Sequence, residues 1–106
     1  MYKLYLDDER FPKLSNDWVI VRSYDEFINT IHEKGLPFEM SLDHDLGDNV
    51  PTGFDCVKWM VHRMMYDLRK ISINVHSANP VGKDNIEGLI ASWNKFLDKE
   101  DEEKDK

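Results

Sequence analysis

Short apolar runs alternate along this chain with longer segments whose apolar residues recur at helical spacing. The runs are YKLYL at 2–6, WVIVR at 18–22, EMSL at 39–42 and ISINV at 71–75. Strands that alternate with helices require a mainly parallel sheet with right-handed crossovers. Three runs also end in polar clusters. Asp7, Asp8 and Glu9 follow the first, Asp43, His44 and Asp45 the third, and His76, Ser77 and Asn79 the fourth. In parallel strands these clusters meet at one sheet edge, and open α/β sheets bind ligands at the carboxyl ends of their strands.

The intervening segments supply the rest of the order. Residues 8–17 form a polar loop with Pro12. Ten residues are near the minimum for a parallel crossover, so a loop or single turn is expected there. Ser23 with Glu26 is a capping-box pattern. It opens a helix with Tyr24, Phe27, Ile28 and Ile31 on one face, which Gly35 and Pro37 end. Strand three covers 39–43. Thr52 with Asp55 repeats the capping pattern and opens a helix to about Leu68, expected to bury Phe54, Cys56, Val57, Met60, Val61 and Met64. Strand four covers 71–76. Asn79 and Pro80 suit the cap and first turn of a third helix, expected to bury Ile86, Leu89, Ile90, Trp93, Phe96 and Leu97. The result is an α/β fold with a four-stranded, mainly parallel sheet, for which the order 2-1-3-4 is expected. Its switch point lies between strands one and three, the strands that carry Asp7, Asp8 and Asp43.

At 106 residues the chain makes one domain with a modest core. A net charge of −7 argues against non-specific nucleic-acid binding, which needs a basic surface. Residues 98–106 hold six acids and three bases. They are expected to be a disordered acidic tail after a domain spanning 1–97. The single cysteine, Cys56, excludes an intrachain disulfide and has no Cys/His partner at metal-ligand spacing. No apolar stretch reaches membrane-spanning length. A cytoplasmic location without membrane contact is the expectation, in the host cytoplasm if the chain is phage-encoded.

The clusters suit a divalent-cation and phosphate site. Asp7, Asp8, Asp43 and Asp45 supply the hard oxygens that Mg2+ or Mn2+ takes, and gathered carboxylates are relieved of repulsion by an ion. Asp43 is a candidate ligand or nucleophile. His44 and His76 are candidate proton-transfer groups near neutral pH. Ser77, Asn79 and Lys83, at a helix start, can grip phosphate oxygens. Plainer roles compete for each: a solvated loop for Asp8, a loop hydrogen bond for His44, an Asx turn for Asp45, a core position for His76, helix capping for Asn79 and a solvated side chain for Lys83.

LYLDDER, WVIVRSYDEF, SLDHDLG, TGFDCVKW and HSANPVGKDNI together resemble the cyclic-phosphate processing receiver domain family of bacteria and phages, across roughly residues 2–93. That resemblance implies a truncated receiver-like (flavodoxin-like) three-layer α/β fold. Asp7 and Asp8 match the metal-binding acidic pair, Asp43 the phosphoacceptor position and Ser77 the Ser/Thr position after strand four. No fifth strand with a phosphoryl-contacting lysine follows, and His44, Asp45 and His76 depart from a signalling receiver. The implied activity is metal-dependent hydrolysis of a cyclic phosphate, of a nucleotide, an RNA end or an ADP-ribose derivative. Two alternatives stand beside it. One is a non-enzymatic binding protein, either a cyclic-nucleotide sponge or an inhibitor of a host protein. The other is a signalling receiver phosphorylated on Asp43.

Overall fold

Each apolar run forms a four-residue strand in the computed structural model, which describes residues 1–13 and 17–104. The strands are β1 (Lys3–Leu6), β2 (Trp18–Val21), β3 (Glu39–Leu42) and β4 (Ser72–Val75). They make one parallel sheet of order β2-β1-β3-β4, as the sequence predicts. Among the described residues, no helix lies between β1 and β2.

Register and alternation separate the two faces of the sheet. Leu4 pairs with Val19 and Met40, and Leu6 with Val21 and Leu42; Met40 and Leu42 continue to Ile73 and Val75. Successive residues of a strand point to opposite faces, so these side chains share one face. Leu4, Leu6, Met40 and Leu42 are fully buried there. The helices close over them. Phe27 and Ile31 come from α1 (Tyr24–Lys34), Cys56 and Val57 from α2 (Gly53–Lys58), and Ile86 from α3 (Pro80–Lys104); all join the same core. Each fully buried Leu, Phe or Met contributes about 1.5–3 kcal/mol. The opposite face carries Ile20, Tyr5, Ser41 and Asn74 in one row. There Tyr5 meets Trp18 edge-on, and the Lys3 ammonium sits over the Trp18 ring.

Both expected helix starts are present. The Ser23 hydroxyl accepts the Glu26 N–H at 3.2 Å, while the Glu26 carboxylate accepts the Arg22 N–H at 2.7 Å. Thr52 and Asp55 form the reciprocal capping box. Gly35, at φ 82, ends α1 in a conformation that favours glycine.

Three expectations change. The second helix does not reach Leu68. After Lys58 it widens into a π-helical turn, Trp59–Arg63, closed by the Met64 N–H donating to Trp59 O. Trp59 there has Phe27, His32 and Tyr66 around it in edge-to-face contacts. Met65 follows at φ 51 and stops the helix. Met64 is therefore exposed rather than buried. Phe96 is also exposed, at 49%, because α3 outruns the sheet beneath it. Finally, α3 continues without a break past residue 97 to Lys104. Arg69 ties it down through Asp98 at 2.9 Å and Asp101 at 2.8 Å. Residues 105 and 106 of the expected tail lie outside the described residues, as do residues 14–16 of the first loop.

Candidate metal and phosphate site

The parallel ladder continues one residue past each strand. The Asp7 N–H donates to Val21 O, Asp43 N–H to Leu6 O and His76 N–H to Leu42 O. Asp7, Asp43 and His76 thus stand side by side at the carboxyl edge, on adjacent strands.

Asp7 is fully buried. Its Oδ1 accepts the backbone N–H groups of Glu9 (3.0 Å) and Arg10 (2.9 Å), which turns the chain sharply and throws Asp8 outward. Its Oδ2 meets His76 Nε2 at 3.0 Å. Burial pushes the Asp7 carboxyl up, but the two N–H donors and His76 outweigh it, so its pKa lies below the ordinary value. Asp43 behaves oppositely. Burial raises it, against the His44 N–H that bonds its Oδ1 at 2.8 Å; the neighbouring Asp7 charge adds to the rise, and the net shift is upward.

One carboxylate oxygen each from Asp7, Asp8 and Asp43 lies within 4.8 Å of the other two. Oxygens bound to one magnesium at ~2.1 Å sit no more than about 4.2 Å apart, so a small inward rotation closes the set on an ion. The donor set, all hard oxygen, fits that class of cation. A polar cleft of about 400 Å³ opens over these acids, lined by Asp8, Arg10, Asp43, Asp45, Asp48 and Ala78 among others. A larger groove, about 460 Å³, lies elsewhere along α2 and touches none of them.

His44 sits beside the acids. Its Nδ1 meets Asp45 Oδ1 at 2.8 Å, and Asn79 Nδ2 donates to Asp45 Oδ2 at 3.3 Å. The His44–Asp45 bond lowers the Asp45 pKa. The His44 ring lies against Gly82, where any Cβ would overlap it. Gly53 likewise leaves room for the Asp43 carbonyl, and its N–H donates to His44 O at 2.7 Å. His44 Nε2 has no hydrogen-bond partner among the described residues.

These strand-end acids and the turns that present them agree with the pattern matched by the chain. The model of the cyclic-phosphate processing receiver domain matches residues 2–92. The chain belongs to that family. No curated protein and no solved structure matches it.

Within this cyclic-phosphate processing receiver domain, several expected site residues come together and others do not. Asp7, Asp8 and Asp43 converge. Asp45 stands outside that trio, its two oxygens taken by His44 and Asn79. His76 is held behind the acids instead of facing the cleft. It is stacked on Tyr5 at 4.6 Å between ring centroids, with Nδ1 on Ser41 Oγ at 2.7 Å. Ser77 acts to lower the Asp43 pKa, against burial, and its hydroxyl accepts the Asn79 N–H at 3.1 Å. Asn79 caps α3, its Oδ1 accepting the Gly82 N–H at 3.0 Å. Lys83 makes no ion pair among the described residues. Sequence reasoning missed Arg10 and Ser41. Arg10 lines the cleft, and its carbonyl accepts from Arg22 Nη1 at 2.6 Å. Ser41 is a buried polar residue between two buried apolar ones, Met40 and Leu42, which was the one available sequence signal.

Proposed function

We propose that this receiver domain is a metal-dependent phosphoesterase that opens a cyclic phosphate. The observation that carries the reading is the convergence of three carboxylates, Asp7, Asp8 and Asp43; His44, which follows Asp43 in the chain, has its Nδ1 held by Asp45. Asp7, Asp8 and Asp43 would hold Mg2+ or Mn2+, which supplies polarisation of the phosphoryl oxygens and charge neutralisation when bound. Asp7 is fixed by its backbone donors and Asp43 by the His44 N–H, which limits the rearrangement on loading to a small inward rotation. Arg10 and Lys83 would draw the anionic phosphate to a cleft that is otherwise strongly acidic.

Asp45 holds the His44 ring with Nε2 directed away from Nδ1, the arrangement of an oriented general base. His44 Nε2 would take a proton from water as the water oxygen bonds to phosphorus. The bond from phosphorus to one ring oxygen breaks, and the proton then passes to that departing oxygen. The product is a phosphate monoester with a free hydroxyl. His76 would act as a positioning residue for Asp7, not as the proton-transfer group, because both its ring nitrogens are engaged.

The test is hydrolysis of a panel of cyclic phosphodiesters with magnesium or manganese, beside calorimetric binding of each member. Turnover that requires the metal and is lost in Asp8→Asn supports the reading. Tight binding without turnover on every member would replace it with a sequestering protein. Stable labelling of Asp43 by a small phosphodonor, lost in Asp43→Asn, would replace it with a phosphoacceptor.

A further inference from the structure

Away from the acidic cleft, three grooves adjoin through shared residues. The first, about 460 Å³, carries Lys58, His62 and Arg63 on its rim. The second, about 370 Å³, is lined by Val61, His62, Met65, Trp93 and Phe96. The third, about 230 Å³, is lined by Phe96, Lys99, Glu100 and Glu103. His62 is shared by the first two and Phe96 by the last two; the first sets Lys58 and Arg63 against one acid, Asp55, the middle is apolar, and the third sets Glu100 and Glu103 against one cation, Lys99.

The middle is unusually bare for a chain this polar. Met65 is 66% exposed and Phe96 49%, with Met64 beside them in sequence at 36%. Met65 holds a left-handed backbone, a conformation costly for a side chain of this kind. Phe96 is preset, stacked on Trp93 at 5.5 Å between centroids. The two charged ends are unused within the chain. Lys58, His62, Arg63, Glu100 and Glu103 form no ion pair among the described residues.

A strip with opposite charges at its two ends and an apolar centre is complementary to itself. Rotation by a half-turn about the centre lays the acidic end on the cationic one and apolar on apolar, as a two-fold contact requires. We propose that this strip is the dimer interface of the protein, with a second copy of the same chain lying antiparallel on it. Phe96 and Met65 of the two copies meet at the centre, and Glu100 and Glu103 of each face Lys58 and Arg63 of the other. A nucleic acid or an anionic membrane would be repelled by the acidic end, whereas a second copy uses both. The acidic cleft stays open in such a dimer. Pro80 begins α3 next to Asn79 and Gly82 at the site, and Phe96 lies about 24 Å further along the helix at ~1.5 Å per residue.

Sedimentation velocity of the full chain across micromolar concentrations tests this. The wild type should be a monomer–dimer equilibrium, and Phe96→Asp should be monomeric. Two double variants, Lys58→Glu with Arg63→Glu and Glu100→Lys with Glu103→Lys, should each raise the dimer dissociation constant by about tenfold or more, as like charges then face each other. Mixing these two double variants should restore a dimer, because one copy then offers acidic ends only and the other cationic ends only. A wild type that stays monomeric at several hundred micromolar would overturn the proposal. So would variants that dimerise as the wild type does, or a mixture that remains monomeric while both variants are folded.

Discussion

His76 clamps Asp7 from behind: Nε2 lies 3.0 Å from the buried Asp7 Oδ2, and Nδ1 lies 2.7 Å from Ser41 Oγ. An ionised carboxylate only accepts, so Nε2 carries the proton. Asn74 Nδ2 in turn points at Ser41 Oγ from 3.4 Å. The chain Asn74–Ser41–His76–Asp7 crosses β4 and β3 to β1 and fixes the orientation of one acid at the cleft.

Breaking that clamp should cost stability. His76→Ala leaves a buried carboxylate with its backbone donors alone, and should lower the unfolding free energy by about 1–3 kcal/mol in urea titrations. Ser41→Ala removes a neutral partner and should cost about 0.5–1.5 kcal/mol. Equal stability of wild type and His76→Ala would show that the hydrogen bond does not hold Asp7.

The two central acids should give opposite pH responses without metal. The Asp7 pKa is depressed, so its contribution is present above the unfolded carboxylate pKa and lost as pH falls through the folded one. The Asp43 pKa is raised, so its contribution is full below the unfolded pKa and lost as pH rises through the folded one. Asp43→Asn should therefore gain stability relative to wild type as pH rises above about 4. Thermal melts across that range in a chelator should show the gap widening with pH; a constant gap would contradict the assignment.

Magnesium or manganese should raise the melting temperature, by the equivalent of about 2.7 kcal/mol at a hundredfold excess over the dissociation constant. Asp8→Asn with Asp43→Asn should abolish that rise. The same response in both proteins would place the ion elsewhere on this acidic chain.

Gly82→Ala and Gly53→Ala should separate chemistry from folding. An added methyl at Gly82 meets the His44 ring at its root, so the ring must be displaced. Turnover should then fall toward that of His44→Ala, by about 10²–10⁴-fold. At Gly53 the methyl meets the Asp43 backbone carbonyl instead. Overpacking there should cost about 1–3 kcal/mol. Ser77→Ala and Lys83→Ala should instead weaken ligand affinity before rate, measured by calorimetry on the same proteins.

Deleting residues 98–106 should move the monomer's melting temperature little. The pairs from Arg69 to Asp98 and Asp101 are exposed, and such pairs contribute little in water. Arg69→Ala also releases Asp67, whose pKa is held down at about 2 by the Arg69 guanidinium; its small contribution is lost as pH falls toward that value. A large drop in melting temperature on truncation would mean that the end of α3 is part of the folded core.

The strand runs, both helix caps and the meeting of Asp7, Asp43 and His76 at one edge were legible in the residue order, because they follow from local periodicity, capping chemistry and the parallel connection of strands. The sheet order was expected correctly, but it is the pairing between strands that decides it. Ser41, Arg10 and the packing of His44 on Gly82 were not legible. They depend on which side chains parallel registry brings abreast, on where the Asp7 turn sends the next loop, and on how closely α3 approaches the end of β3. The early stop of the second helix and the exposure of Phe96 belong to the same class. Helical spacing says which residues share a face, but only the assembled fold decides whether that face meets the core or runs past its end.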